Sequence, residues 1–339
     1  MSTSGRMSTS GRMSTSGRMS TSGRMSTSEQ DDEAGSLVAI RHILVALDTS
    51  FHSLAALEAA AELAASLEAE IQGLFVEDAA LLRLAGLPLA REMRYPFSSP
   101  ARLDQVHMER DLRAQAAQAR RALAAVSERR HVKWSFRVVR GEVTPEVLAA
   151  ALEADLLTLG KASRPLLQRA RLGSTARAAA ARAPCCVLLM QRGVDIKPPV
   201  VVTYDGTPTA RRALAMAAHL AHKEAGYLTI LLLADTPEAV QQLHGEVSTL
   251  LHGRGLIVRQ RRLIGTGVAT LAHEVRAEGS GVLVLSGTVL SQEPLQELLD
   301  EVDCPVLLVR QALVRQAPDT PGPHPAGGET KCQRPNQSN

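Results

Sequence analysis

Aromatic side chains are scarce. Phe, Trp and Tyr make up 2% of the 339 residues, although 45% are hydrophobic. The cores must therefore be built from Leu, Val, Ile and Ala. Charge of one sign is also lacking: a net charge of +3 is too small to argue for nucleic acid or an acidic membrane surface as partner. No uncharged apolar run is long enough to span a bilayer. The N-terminus has no apolar core of the kind a secretory signal needs. The four cysteines, Cys185, Cys186, Cys304 and Cys332, form no CxxC pair and no His/Cys cluster. That excludes a disulfide framework and fits a reducing compartment. A soluble, cytoplasmic protein is expected.

Both ends read as disordered. The start repeats MSTSGR four times before MSTSEQ, is polar and has almost nothing to bury. Each repeat offers a Met, so Met25 is an alternative start. The end, "QAPDTPGPHPAGGETKCQRPNQSN", is rich in Pro and Gly. The expected organisation is a tail over 1–36, a first domain over 37–192, a linker over 193–199, a second domain over 200–311 and a tail over 312–339.

Between the tails, short apolar runs alternate with helical patterns. "IRHILVALD" ends in Asp48, and Leu57, Ala60, Ala64 and Leu67 then recur at helix spacing. Ile71 to Val76 is apolar again, and Val76 is a strand residue that would sit in the core on composition alone. Residues 79–130 hold a Leu-rich segment, the turn-rich "RYPFSSP" and a long amphipathic helix. Trp134 to Val139 reads as a strand. Thr144 before Pro145 reads as a helix cap. "DLLTLG" is a fourth strand, Ser174 to Ala183 a helix stopped by Pro184, and Cys185 to Met190 a fifth strand. Apolar strands alternating with helices predict a parallel sheet covered on both faces.

The order then repeats. "PVVVTYDGTPTARRALAMAAHLA" echoes "HILVALDTSFHSLAALEAAAELA", "GVLVLSG" echoes "DLLTLGK", and "VDCPVLLVRQ" echoes "APCCVLLMQR". Tandem duplication is the simplest account. The second copy is shorter, because it lacks much of 79–115 and the loop after its fourth strand.

One segment carries chemistry: "LGKASRPLLQRARLGSTARAAAARAPCCVLLM", Leu159 to Met190. Gly160 ends a strand, where a missing side chain lets a phosphate or ribose approach the backbone. Gly173, Ser174 and Thr175 open a helix whose free N–H groups and dipole favour an anion. Between them lie Lys161, Arg164, Arg169 and Arg171, cations that suit phosphates. The bland reading is a loop in which Gly160 turns the chain and Ser174 caps a helix. Asp48 lies at the same sheet edge, or it merely caps the next helix, as Asp205 in the second copy suggests. In that copy no glycine opens the matching helix, near Ser291 to Pro294. Glu293, Glu297, Asp300 and Glu301 make the region acidic, so no second anion site is expected.

Together "HILVALDTSFHSLAALEAAAELA", "GEVTPEVL", "ADLLTLGKAS" and "LGSTARAAAARAPCCVLLM" resemble the universal stress protein family, over about 40–191 and 198–310. The resemblance implies two tandem α/β domains, each a five-stranded parallel sheet of Rossmann-like, adenine nucleotide alpha hydrolase-like type, the second shortened. Nucleotide-binding members hold ATP or AMP at the strand carboxyl ends with the pattern Gly, two residues, Gly, nine residues, Gly, Ser or Thr. Gly160, Ser163, Gly173 and Ser174 keep that spacing, with serine in place of the second glycine. If that position needs a left-handed backbone, serine costs about 1–2 kcal/mol; if it needs only a small side chain, serine fits and can donate a hydrogen bond. The resemblance also implies that Asp48 contacts the adenine-ribose end, that Val76 lines the base pocket, and that the two halves pair internally through their fifth strands, with a homodimer as a further option.

The expected function is ATP or AMP binding by the first domain alone, with or without Mg2+, in signalling to an unidentified protein partner, and no enzymatic activity. The alternatives are a ligand-free interaction scaffold and a weak ATPase. No conventional P-loop lysine motif and no recognisable general base is present. Weaker features are His219 and His222, three apart on a helix; the Cys185-Cys186 pair, read as small buried hydrophobes; Arg259 to Arg262, read as a solvated face; and Leu81 to Met93, which would pack on its own domain or cover a ligand.

Overall fold

The computed structural model describes residues 40–87, 91–92, 101–102, 105–161, 172–191, 195–222, 226–263, 267–279 and 281–311. Ser163, Arg164, Arg169, Arg171, Cys332, "RYPFSSP" and both expected tails lie outside the described residues.

In the first half the chain runs β1 (His42–Ala46), α1 (Phe51–Leu67), β2 (Glu70–Asp78), α2 (Ala79–Ala85), a small pair β3 (Arg91–Glu92) and β4 (Ala101–Arg102), α3 (Gln105–Arg129), β5 (Trp134–Gly141), α4 (Val143–Ala150), β6 (Leu156–Gly160), α5 (Ser174–Arg182) and β7 (Cys186–Met190). The second half runs β8 (Val200–Tyr204), α6 (Pro208–His222), β9 (Tyr227–Leu233), α7 (Pro237–Leu250), β10 (Ile257–Leu263), α8 (Val268–Ala277), β11 (Val282–Ser286), α9 (Gln292–Glu301) and β12 (Val306–Val309).

The apolar strand runs behave as doubly covered strands should. Every residue of β7, β8, β11 and β12 is buried. The order β10-β9-β8-β11-β12-β7-β6-β1-β2-β5 makes one ten-stranded sheet, in which the two sets of five join. Within this sheet the pairs inside each half are parallel, and β12 with β7 is its one antiparallel pair; the separate two-stranded pair β3–β4 is antiparallel. The β12–β7 register places Leu307 opposite Leu188, with Val306 opposite Leu189 and Leu308 opposite Val187. The matching residues Leu188 and Leu307 thus lie opposite each other, and the flanking pairs Val187–Leu308 and Leu189–Val306 are reciprocal, as a pseudo-two-fold axis through the central pair requires. The carboxyl edges of the two halves point in opposite directions as a consequence.

Alternation along the strands feeds two layers. Leu44, Leu157, Leu159, Val187 and Leu189 join α4 and α5 (Val147, Ala176, Ala179) in a core that continues through Leu283, Leu285, Val306 and Leu308 to α8 and α9 (Leu271, Leu298, Leu299). Fully burying a leucine is worth about 1.5–3 kcal/mol, so this shared core welds the halves together more strongly than any polar contact between them. The edge strands β5 and β10 are the most exposed and carry ion pairs: Arg140 with Glu77, Arg259 with Glu278, and Arg261 with Glu274 and Glu278. Such exposed pairs add little stability, but charged edges resist pairing with further chains. The basic run at Arg259 to Arg262 is therefore partnered at its sheet edge.

Candidate functional site

In the first half β1 lies between β6 and β2. After β1 the chain leaves through α1 towards β2, and after β6 it leaves through α5 in the other direction. A crevice opens outside the carboxyl ends of neighbouring strands whose connections diverge in this way. The cavity found there measures about 650 Å3, within the size range of small-molecule sites. Asp48, Val76, Gly160, Gly173, Ser174 and Thr175 all line it, although up to 127 positions separate them in the chain. Leu74, Leu81, Leu112, Val143, Val147 and Leu159 supply apolar wall, and Asp78, Gln115, Glu142 and Thr144 supply polar groups.

Each named residue is held for a local reason. Asp48 Oδ1 accepts the Ser50 N–H at 3.0 Å, and Ser50 in turn caps α1 by accepting the Ser53 N–H. Asp48 therefore shapes the turn while Ser50 is the cap. Asp205 repeats the arrangement, with its Oδ1 accepting from the Thr207 N–H and hydroxyl. Between Asp48 and Ser50 the backbone of Thr49 has φ 59°, where the second half has Gly206 at φ 78°. A β-branched residue in this region is strained. Thr49→Gly should therefore stabilise the protein by about 0.5–1 kcal/mol, read as an upward shift of the denaturant midpoint. A midpoint that falls would show that Thr49 carries no strain.

Val76 lines the cavity and also packs against the core of the α4–α5 face. Gly160 has a structural reason for being glycine: a Cβ there would lie 2.6 Å from His52 Cβ and 2.9 Å from the His52 carbonyl carbon. It admits α1 to the sheet, whatever approaches from the cavity side. Gly173 is the N-cap of α5, with φ −61° and ψ 156° and no side chain capping the helix. Its own N–H donates to the Lys161 carbonyl. The first turn of α5 lines the cavity, and among the described residues no side chain caps its free N–H groups.

Three expectations need correction. Thr144 is not a cap: Glu142 is the N-cap of α4, and the Thr144 hydroxyl lies 3.1 Å from that of Thr175. Lys161 is not part of a cationic face towards the cavity. It is 5% exposed, and its Nζ donates to the carbonyl of Val302, 141 residues away. Asp300, read as part of an acidic region hostile to phosphate, accepts the Leu172 N–H of the first half at 2.8 Å. Sequence reasoning also missed Asp78, Gln115 and Glu142 in the lining; the one available signal was that β2 ends at Asp78, which caps α2 by accepting the Ala80 N–H.

Burial pushes the Lys161 ammonium below its ordinary value, against the pull of Cys304, Asp303 and Asp300. The unfolded chain then binds more protons between that lowered value and the ordinary 10.5, so stability rises with pH across this window. The rise should vanish in Lys161→Met, measured by denaturant unfolding at a series of alkaline pH values. An identical pH profile in both proteins would contradict this placement of Lys161. Burial also drives the Cys185 thiol up to about 12 and raises Cys186, so both behave as small hydrophobes. His219 Nε2 lies 3.3 Å from Ser66 Oγ. Among the described residues no group of three or more His, Cys, Asp or Glu could hold a metal ion, and no helix is long and apolar enough to cross a membrane.

Comparison with known proteins gives three findings. The model of the universal stress protein family matches residues 39–191. No curated protein matches the chain. Among solved structures, a universal stress protein from Archaeoglobus fulgidus is similar at 17% identity and TM-score 0.60, over 79% of this chain and 98% of its own. A functionally unknown protein from Pseudomonas aeruginosa is similar at 14% identity and TM-score 0.51, over 81% of this chain and 94% of its own. At these identities the likeness is one of fold, and its extent takes in the second half as well as the first.

Proposed function

We propose that the first half, whose residues 39–191 match the model of the universal stress protein family, binds an adenine nucleotide, ATP or AMP, in the cavity at the β1–β6 crevice. The observation that carries the reading is the convergence of Asp48, Val76, Gly160 and Gly173 to Thr175 on one cavity of about 650 Å3. The uncapped first turn of α5 supplies N–H donors for a phosphate. The exposed carboxylate of Asp48 can accept from ribose hydroxyls, and Val76 with Leu74 offers an apolar wall for a base. The second half does not share the site: α9 has Ser291 as N-cap and Glu293 in its first turn, which disfavours an anion.

The reading is one of binding without turnover, serving a signalling role towards a protein partner. Asp48 and Asp78 already accept backbone N–H groups, and the described lining contains no histidine or lysine to move a proton. Among the described residues no group of three or more His, Cys, Asp or Glu could hold a metal ion, so any Mg2+ would come with the phosphates of ATP. A ligand-free scaffold is the second reading. It is favoured by one observation: the described lining carries Asp48, Asp78 and Glu142 but no lysine or arginine.

Denaturing the purified protein and chromatographing the supernatant separates the two. The nucleotide reading expects adenine nucleotide in an amount approaching one per chain. A supernatant free of nucleotide, from protein that also fails to bind added ATP and AMP, leaves the scaffold.

A further inference from the structure

The pseudo-two-fold axis through Leu188 and Leu307 supplies a test of design. In a truly symmetric interface every contact occurs twice. The apolar contacts between the halves meet that expectation, and the polar ones around α5, with one exception, do not.

Five polar contacts converge on α5 and the end of β6. Asp300 Oδ1 accepts the N–H of Leu172, the residue before the N-cap of α5. Arg177 on α5 donates to Gln296 Oε1 at 3.0 Å and lies 3.8 Å from Asp300 Oδ2. Arg310 donates to the carbonyl of Ala180, in the last turn of α5. Lys161, just past Gly160, donates to the carbonyl of Val302. The second half therefore grips α5 at both ends and fixes the strand terminus beside the cavity.

Counting from the paired cysteines Cys185 and Cys304, the reciprocal positions cannot repeat this. Asp300 then corresponds to Ala181 and Arg310 to Gln191, while the echo of "DLLTLGK" in "GVLVLSG" sets Lys161 opposite Gly287. Alanine has no acceptor to offer and glycine no cation. A Cβ at Gly287 would meet Arg310 Cγ at 3.2 Å, so the glycine also makes room for the arginine. Asp300 and Arg310 reach from the second half to α5, Lys161 reaches from the first half to Val302, and Arg177 and Gln296 occupy each other's reciprocal positions, so of these contacts only that last one is compatible with the symmetry.

We propose that the second half is a positioning clamp for α5, which sets the nucleotide affinity of the first half by holding the α5 N-terminus at the cavity. The part that concerns affinity rests on the nucleotide reading above. Asp300 is the central positioning residue: it touches the N-terminal lead of α5 and not the cavity, whose described lining excludes it.

The experiment pairs hydrogen exchange with calorimetry of AMP binding, on the full chain. In Asp300→Ala the amides of 172–177 should exchange at least tenfold faster while those of β6 and β7 keep their protection, and the AMP dissociation constant should rise at least fivefold. Asp300→Asn keeps a side-chain oxygen as acceptor and should restore the protection. If Asp300→Ala folds poorly, Arg310→Gln, which installs the residue found at the reciprocal position, should loosen the last turn of α5 instead. Unchanged exchange in α5 overturns the clamp, and so does a loosened α5 with AMP affinity within twofold of wild type. Failure of the wild type to bind AMP removes the nucleotide reading and the affinity claim with it, while the exchange comparison still decides whether the second half holds α5.

Discussion

Gly160→Ala should destabilise the protein by about 2 kcal/mol, seen as a fall in the thermal midpoint of several degrees. A methyl group at this position meets the backbone of α1 as well as the His52 side chain, at 2.9 Å from the carbonyl carbon and 3.1 Å from the oxygen. A flexible side-chain tip could turn aside; a helix packed on the sheet cannot without carrying its neighbours along. The usual gain from replacing glycine, about 0.4–1 kcal/mol through the unfolded chain, offsets only part of that cost. The second half shows how the fold solves the same junction with other residues. There Ser286 takes the place of Gly160 and Thr209 the place of His52, and Ser286 is buried with its hydroxyl 2.8 Å from that of Thr288. The double variant His52→Thr with Gly160→Ser should accordingly be more stable than Gly160→Ser alone. Equal stability of wild type and Gly160→Ala would mean that the close approach of α1 does not determine the glycine.

Gly173→Asp should have the opposite profile, with affinity lost and stability kept. The backbone there has φ −61°, which any residue adopts, and aspartate is among the best N-cap residues. Its carboxylate would accept the first-turn N–H groups of α5 and strengthen the helix by about 1 kcal/mol. Those are the groups a phosphate needs, and the added negative charge repels it as well. Nucleotide affinity should fall at least a hundredfold, which is about 2.7 kcal/mol, in a protein whose thermal midpoint is unchanged or raised. Calorimetry and a thermal melt on the same sample check both halves of the statement. Unchanged affinity would place the ligand elsewhere than at α5.

Much of this architecture is legible in the chain because it rests on local pattern. Apolar strands such as "CVLLM" and "VLVLS" announce their double burial by having no polar face. The echo between "APCCVLLMQR" and "VDCPVLLVRQ" announces the two halves, and the two segments turn out to pair with each other as β7 and β12, with Leu188 opposite its counterpart Leu307. The membership of Asp48, Val76, Gly160 and Gly173 to Thr175 in one cavity follows from the crevice rule once the strand order is known.

What escaped the sequence is long-range. Lys161 stands in a run of cations and reads as one of them, yet its partner is a carbonyl 141 residues away that draws it into the core. Asp300 reads as a charge that repels phosphate, because its role depends on the N–H of Leu172 across the interface between the halves. Gly160 reads as room for a ligand, whereas the space it leaves is filled by α1. The side chains alone would suit either role in each case, and only the packing of the two halves decides which one they have. Thr144 differs, since the cap signal there was local and misplaced by two residues, with the helix beginning at Val143.

The most direct measurement is a calorimetric titration of the purified full chain with ATP and with AMP, in the wild type and in Gly173→Asp. The account expects one site per chain in the wild type and none in the variant. Two sites per chain, an absence of binding, or binding that survives Gly173→Asp would contradict it.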